Sequence, residues 1–313
     1  MNSKKRAIAF TAITFFMSWT LAGVIYFFGL AQSPLYTPLL VVYMLFPAIG
    51  SLITRAYTRE GFKDMKIRLK LTKNSSKYLF LAILAPVVLS VLGAIVYFLF
   101  FPWNFDSSMP LVRAQYAASG IEASFDSIPK GVFVLSQIVT AVILGGTINA
   151  IPAFGEELGW RGYLFPRLLE ATTPQKALII SGTIWGLWHA PLIAMGHNYG
   201  VEYPGYPVVG IVVMTLTCVC FGALLCFISF KSKSVILTAI SHGVFNGVAA
   251  IGTIFTVGEY NPTLGPIPLS LIGGIPVIIA GVYIISKADK LFAAPAAEQT
   301  ATVELKAEDE RQL

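Results

Sequence analysis

Long apolar runs separated by short polar segments dominate the chain. Eight stretches contain no Asp, Glu, Lys or Arg and approach or exceed the roughly 20 residues that a helix needs to cross a bilayer. They are residues 7–30, 37–54, 78–101, 131–152, 177–196, 205–230, 234–257 and 266–286. The alternation typical of membrane β-strands is absent from the sequence. The pattern predicts an all-α, polytopic membrane protein with about eight transmembrane helices.

Composition supports the same class. Hydrophobic residues make up 56% of the 313 positions and charged residues only 12%, against about 25% charged in soluble domains. The net charge of +6 comes from short basic clusters between the apolar runs. This distribution excludes a soluble nucleic-acid-binding protein. We therefore expect the lipid bilayer, and no nucleic acid, as a partner.

The basic residues also predict a topology. In an eight-helix arrangement all of the 22 Lys and Arg residues except Arg113 and Lys130 fall on one side of the membrane. Because cytoplasmic loops retain positive charge, both termini are predicted to be cytoplasmic. The chain carries no organelle signal and has a short tail, which favours a multi-pass protein of a prokaryotic plasma membrane.

The domain prediction is a single membrane domain over residues 1–286, with its central motifs in residues 131–257. Residues 287–313 are Ala- and Glu-rich and are predicted to be a disordered cytoplasmic tail. The long loop 102–130 is expected to be an external cap with some short helix. The basic loop 54–77 alternates charged and apolar residues, which indicates a strand-like or interfacial segment on anionic lipid.

Ionisable side chains in hydrocarbon are costly and need an explanation. Depth in the membrane is counted from the nearest basic residue at the predicted cytoplasmic end of each span. His189 lies 13 residues after Lys176, His242 lies 9 residues after Lys233, and Glu156 lies 11 residues before Arg167. At about 1.5 Å per helical residue these depths are similar. Whether Glu156 and Glu157 lie inside the membrane or at its interface is left open, since residues 131–155 already suffice for a span. His197, just beyond the fifth span, is expected to be a solvated loop residue.

The spacing of the polar residues places them in pairs on helix faces. Glu157 and Arg161 are at i, i+4, as are Trp185 and His189, and His242 and Asn246. An interfacial ion pair and an ordinary interhelical hydrogen bond are the simpler explanations. Together, however, a Glu and a His suffice to polarise a water, with or without a metal ion, while the second His and the Asn stabilise an oxyanion. No His-Glu-x-x-His or Gly-x-Ser-x-Gly motif is present.

These three motifs, in this order, resemble the CAAX protease and bacteriocin-processing (CPBP) family, which includes the type II CAAX prenyl endopeptidases. Members of that family are intramembrane proteases of eight helices. The resemblance is carried by Glu156-Glu157-x-x-x-Arg161, by Trp185-x-x-x-His189, where Phe is common in the family, and by His242-x-x-x-Asn246. It covers residues 131–257 closely and the remainder only as helical architecture.

The resemblance implies a role for each motif residue. Glu156 is expected to activate water with His189, and Glu157 and Arg161 are expected to support that pair. His242 and Asn246 are expected to bind the oxyanion or a metal. If Zn²⁺ or another divalent metal is present, the expected ligands are Glu156, His189 and His242, and a metal-free mechanism is equally allowed.

The expected activity is hydrolysis of a peptide bond in a peptide or lipidated protein presented at the cytoplasmic face, either a prenylated CAAX-type or a bacteriocin-type substrate. Two alternatives stay open. One is a non-catalytic membrane regulator or bacteriocin self-immunity partner that binds another membrane protein. The other is a transporter in which the same ionisable residues relay protons, although the sequence shows no internal repeat.

Overall fold

Helices form nearly all of the regular structure in the computed structural model, which describes residues 1–69 and 73–293. Within those residues the only β-type pairing is an isolated antiparallel bridge between Phe105 and Thr256. We number the longer helices α1 to α10. They are α1 (Ser3–Phe27), α2 (Tyr36–Thr58), α3 (Lys73–Phe100), α4 (Pro110–Ala118), α5 (Glu122–Ser127), α6 (Lys130–Ala171), α7 (Pro174–Trp188), α8 (Val208–Ser232), α9 (Val235–Val248) and α10 (Ile275–Ser286).

Shorter helical segments connect these elements. They are Leu30–Gln32, Pro102–Asn104, Ala190–Ile193, Ala249–Phe255, which continues α9, and Ala288–Leu291. Side chains mark several helix starts: the oxygens of Asn2, Thr173 and Ser234 accept hydrogen bonds from backbone N–H groups three residues later.

The prediction of an all-α polytopic membrane protein is confirmed. Each of the eight predicted spans contains a helix, and six helices in the described part of the chain are long and apolar enough to cross a membrane. The fifth and eighth spans contain the shorter helices α7, with 15 residues, and α10, with 12. The orientation of the termini and the domain division stay predictions.

The fourth span extends much further than its apolar run indicated. Helix α6 has 42 residues and continues through Pro152 to Ala171. At about 1.5 Å per residue it is roughly 63 Å long, twice the thickness of the hydrocarbon core. Two π-helical segments, Gly145–Asn149 and Trp160–Leu164, lie on either side of the glutamates. The glutamates therefore lie within a continuous helix and do not end one.

Close packing brings α6 against α2. A Cβ atom on Gly159 would lie 2.4 Å from the side chain of Pro47 and 2.6 Å from its carbonyl oxygen. Only glycine permits this approach, because real Cβ contacts are longer. The contact sets the position of α6 along the axis of α2, and with it the position of the neighbouring glutamates.

Two predictions about connecting segments need correction. The basic loop after α2 forms no strand in residues 59–69, and residues 70–72 lie outside the described residues. Its backbone binds the turn before α9 instead. The carbonyl oxygen of Lys66 accepts a hydrogen bond from the N–H of Val235 at 3.1 Å, and that of Arg68 accepts one from the Ser234 hydroxyl at 2.5 Å. Pairing with protein groups satisfies this backbone without a partner strand.

The predicted disordered tail also begins too early. Ala288–Leu291 is helical, and Phe292 is buried, with its ring centroid 5.4 Å from that of Phe165. Apolar contact with α6 orders these residues despite the polar composition that follows. Residues 294–313, the remainder of the predicted tail, lie outside the described residues.

The loop 102–130 contains α4 and α5, in agreement with the short helix expected there. Met109, Phe125 and Phe133 form a small separate core beneath it. Arg113 pairs with Glu122 and Asp126 on the exposed side. Its external location stays a prediction.

Candidate active site

Side chains from α6, α7, α8 and α9 surround a cavity of about 290 Å³. Its lining includes Glu156, Trp185, His189, His242 and Asn246. Residues that are separated by up to 90 positions in the sequence therefore face one space. Glu157 and Arg161, from the same motif as Glu156, lie behind this lining and not in it.

The carboxyl group of Glu156 is held by a single tryptophan. Its Oε2 accepts a hydrogen bond from the indole Nε1–H of Trp185 at 2.7 Å, and the residue is only 2% exposed. Within the described part of the chain, Oε1 has no hydrogen-bond partner. The carboxyl group is thus oriented through one oxygen while the other is available to a bound molecule.

The same tryptophan orients His189. The Nδ1 of His189 lies 2.9 Å from the main-chain carbonyl oxygen of Trp185. Because a carbonyl oxygen only accepts, Nδ1 carries the proton and Nε2 keeps a free lone pair. The Trp188 ring packs edge-on at 4.8 Å and limits rotation of the imidazole. Trp185 therefore positions both the carboxyl group and the imidazole.

Glu157 contacts both an arginine and a histidine from its position behind the cavity lining. Its Oε1 lies 2.8 Å from Nη1 of Arg161 and 2.9 Å from Nδ1 of His242. Glu157 and Arg161 are almost completely buried. The Arg161 guanidinium also lies over the Trp185 ring, 4.1 Å from its centroid. The adjacent glutamates consequently differ: Glu156 faces the cavity and Glu157 faces charged partners.

Asn246 lies at an exposed edge of the cavity. Its Nδ2 donates to Oδ1 of Asn149 at 3.1 Å. Asn149 was not among the sequence candidates, although it precedes Glu156 by seven residues, a spacing that places both on one face of α6. The indole N–H of Trp185 is a second functional group that the sequence reasoning missed, since the tryptophan was considered only as a neighbour of His189.

The prediction that His197 is a solvated loop residue is wrong. Its side chain is half-buried and lines the same cavity. Its Nδ1 lies 3.3 Å from the hydroxyl oxygen of Tyr36 at the start of α2. The turns after α7 fold back over the helix ends, which brings this residue to the cavity from outside the span.

Among the described residues, no group of three or more His, Cys, Asp and Glu side chains is arranged to hold a metal ion. The three candidate ligands Glu156, His189 and His242 line one cavity, and each has one polar atom in contact with Trp185 or Glu157. Such contacts are usual for metal ligands and leave the other polar atom of each side chain for a water or a metal. The metal stays a prediction.

Comparisons with known proteins match the segment that contains the cavity residues of α6, α7 and α9. Residues 134–248 match the family model described as type II CAAX prenyl endopeptidase Rce1-like. Over 92 residues the chain is 36% identical to a protein named CAAX prenyl protease 2 from Methanococcus maripaludis. That match covers 29% of this chain and 34% of the relative, so it spans about a third of the relative's length. The segment that carries these motifs is thus similar to the Rce1-like type II CAAX prenyl endopeptidases, and the chain is a membrane protein with several apolar helices.

Proposed function

We propose that this protein is an intramembrane endopeptidase that hydrolyses a peptide bond by means of a water activated by Glu156 and His189. The substrate is a peptide or lipidated protein held at the membrane, of the prenylated CAAX type or the bacteriocin type. The proposed location is the plasma membrane of a prokaryotic cell. The name and prokaryotic source of the relative support this assignment.

One observation carries the proposal: Trp185 orients Glu156 and His189 at the same cavity. Its indole N–H binds the carboxyl group and its carbonyl oxygen binds the imidazole. This leaves a carboxyl oxygen and an imidazole nitrogen free to bind one water. Two oriented proton acceptors beside one cavity support general base catalysis, which requires a base within hydrogen-bond reach of the water.

In the proposed reaction, a water binds between Oε1 of Glu156 and Nε2 of His189. As the water oxygen attacks the peptide carbonyl carbon, its proton passes to Glu156. The resulting oxyanion accepts a hydrogen bond from the Asn246 amide and, when His242 is protonated, from its Nε2–H. Glu156 then gives the proton to the leaving nitrogen, and the C–N bond breaks to release an amine and a carboxylic acid.

Glu157 and Arg161 act through their neighbours in this scheme. The Glu157 carboxylate holds His242 by Nδ1, which directs the opposite ring nitrogen away from α6. Arg161 supplies the positive charge that balances Glu157 and packs on the face of Trp185. Both are positioning residues, since neither lines the cavity.

The test is peptide cleavage by the full-length protein in proteoliposomes. A farnesylated peptide with a CAAX end and the same peptide without farnesyl serve as probes. Glu156→Gln and His189→Ala should each lower kcat/KM by about 100-fold or more, the usual contribution of a general base. Glu202→Gln makes the same chemical change at an exposed position and should leave the rate unchanged.

Three outcomes separate the alternatives. A non-catalytic docking role is favoured if the wild type cleaves neither peptide and both variants still replace the wild type in cells that lack this protein. Proton flux that is abolished by Glu156→Gln favours transport. A chelator arm tests the metal: cleavage that persists after chelation supports the metal-free route, and loss that is restored by Zn²⁺ places a metal in the site.

A further inference from the structure

A groove on the surface of the helix bundle runs between α1 and α7 and reaches the end of α6. It encloses about 620 Å³, and among the described residues its lining shares none with the candidate active site. Ala7 and Leu168 are buried within it, whereas Ile8 and Ile180 are 60% and 39% exposed beside them. The groove therefore offers a second space, with walls that the proposed reaction does not use.

The groove is apolar along most of its length. Its two hydroxyl-bearing residues are Thr11 and Thr172, and the Thr11 hydroxyl donates to the carbonyl oxygen of Ala7 at 2.9 Å. The lining residues of α1 extend from Lys4 to Phe15, which is about 16 Å along a helix axis. One leaflet is half of the roughly 30 Å hydrocarbon core, or about 15 Å. The groove thus has the length and the lining that an acyl chain of one leaflet requires.

Two lysines lie at the same end of the groove. Lys4 precedes Ile8 by one helical turn on α1, so both are on one helix face. Lys176 precedes Ile180 by one turn on α7 in the same way. The starts of the two helices lie close together, because Thr172, just before α7, lines the groove together with Lys4. Positive charge from two helices is therefore placed at one end of an apolar groove.

These two lysines have no counter-ion within the described part of the chain. Both side chains are exposed, and neither forms a salt bridge there. The carboxylates beside them have other partners: Glu170 accepts hydrogen bonds from Arg167 and Ser3, and Asp289 accepts one from Gln175. An anion at this end of the groove would meet two uncompensated ammonium groups.

We infer that the groove binds an anionic phospholipid, with the phosphate between Lys4 and Lys176 and one acyl chain along the lining as far as Phe15. Basic pockets between membrane helices bind anionic headgroups, and each lysine near such a headgroup contributes about fivefold in affinity. A zwitterionic lipid has the same acyl chains but lacks the net charge that the lysines attract. The inference goes beyond the proposed function, since this lipid is a ligand and not the substrate.

Native mass spectrometry of the full-length protein in detergent tests the charge. Phosphatidylglycerol and phosphatidylcholine with identical acyl chains are the probes. The first phosphatidylglycerol should bind about 30-fold more tightly, about fivefold for each lysine. Lys4→Gln combined with Lys176→Gln should abolish this preference. Lys287→Gln combined with Lys290→Gln, at two exposed lysines just after α10, is the matched control and should preserve it. Equal binding of the two lipids by the wild type overturns the inference, as does an equal loss in both double variants.

Filling the groove tests its apolar part. Ile8→Trp should weaken binding of phosphatidylglycerol at least tenfold, whereas Ile279→Trp, the same change at a 65% exposed position on α10, should not. Unfolding temperatures without added lipid should match that of the wild type, which separates lost binding from lost structure. Unchanged binding in a folded Ile8→Trp variant overturns the inference.

A farnesylated peptide is the competing probe. If it binds the wild type more tightly than phosphatidylglycerol does, and loses that binding in Ile8→Trp, the groove holds the lipid of the substrate and the inference is wrong. Because binding is measured without cleavage, a failure of the proposed function leaves this result unaffected.

Discussion

Two charged clusters that include residues of α6 both pair carboxylates with arginines but differ in the number of partners around each charge. The buried cluster consists of Glu157, Arg161 and His242, none of which is more than 6% exposed. One carboxylate there contacts both Arg161 and His242, and its Oε2 has no hydrogen-bond partner among the residues that the structure describes. Burial makes each partner necessary, because an unpaired charge in the interior is strongly destabilising.

The basic-face cluster lies at the end of α6 and consists of Arg55, Glu60, Asp64, Tyr163 and Arg167. Asp64 is half-exposed and pairs with both arginines, while Glu60 contacts Arg167 and accepts a hydrogen bond from Tyr163. Each charged group in this cluster has at least two polar partners, and Asp64 is also open to solvent. Similar ion pairs therefore differ in how much the loss of one partner destabilises the protein, according to how many other partners surround each charge.

The largest effect is expected from removing the shared carboxylate of the buried cluster. Glu157→Gln leaves Arg161 and His242 without their anion and should lower the free energy of unfolding by about 3–5 kcal/mol. Thermal unfolding in detergent measures it. Asp64→Asn is the matched change in the basic-face cluster and should cost less, because Arg167 keeps Glu60 and Glu170 and Arg55 keeps the carbonyl oxygen of Gly61. Equal losses in the two variants would contradict the comparison.

The packing between the two clusters gives the next effect. Gly159→Ala places a methyl group against Pro47 and should cost about 1–3 kcal/mol through overpacking. The same change at Gly131, where a Cβ would meet nothing within 4 Å, is the control on the same helix. Its unfolding temperature should stay at or above that of the wild type, since alanine favours helix. Loss of stability at Gly131 alone would refute this explanation.

Trp185→Phe tests the contact of Trp185 with Glu156 apart from its packing on Arg161. An aromatic ring is kept, but Glu156 loses the one side-chain hydrogen bond that the described residues give it, which should lower kcat by about 10–100-fold, the loss expected for a hydrogen bond to a charged group. Trp103→Phe, at a 70% exposed position, is the control. A change in KM with kcat unaltered would show that Trp185 contributes to binding and does not position Glu156.

The basic-face cluster should give a weaker, pH-dependent effect. Burial opposes ionisation of Glu60, but hydrogen bonds from Tyr163 and Thr58 and the charge of Arg167 outweigh it and lower the pKa of Glu60. A lowered folded pKa stabilises the protein above the ordinary carboxyl value of about 4.3, and this contribution is lost as the pH falls through the folded value. When the unfolding temperature is recorded from pH 7 to pH 3, it should decrease once the pH is lower than about 4.3. Glu60→Gln should flatten that part of the profile; an unchanged profile would exclude this carboxylate as the cause.

The smallest effect is expected at the exposed pair outside both clusters. Asp126→Asn removes a partner of Arg113, but Glu122 remains 2.9 Å from the same guanidinium. Exposed ion pairs contribute about 0–1 kcal/mol, so the free energy of unfolding should decrease by less than about 1 kcal/mol. A larger loss measured by thermal unfolding would show that the loop between α3 and α6 depends on its charges.

Much of the fold could be predicted because apolar length sets helix position directly. Each uncharged run coincides with a helix, since a bilayer-spanning backbone must satisfy its own hydrogen bonds. The end of α6 could not be predicted, because its glutamates and arginines resemble an interface when their partners are unknown. His197 was misjudged for a related reason: the turns that return it to the cavity leave no periodic signal.

The sequence by itself determined the helical membrane architecture and the residue types available for catalysis, because hydropathy and i, i+4 spacing are local properties of the chain. Tertiary structure alone decided that Glu156 faces the cavity while Glu157 faces Arg161, and that Trp185 holds both the acid and the imidazole. Those features depend on contacts between helices that lie far apart in the chain, and the spacing of residues within one helix does not indicate such contacts.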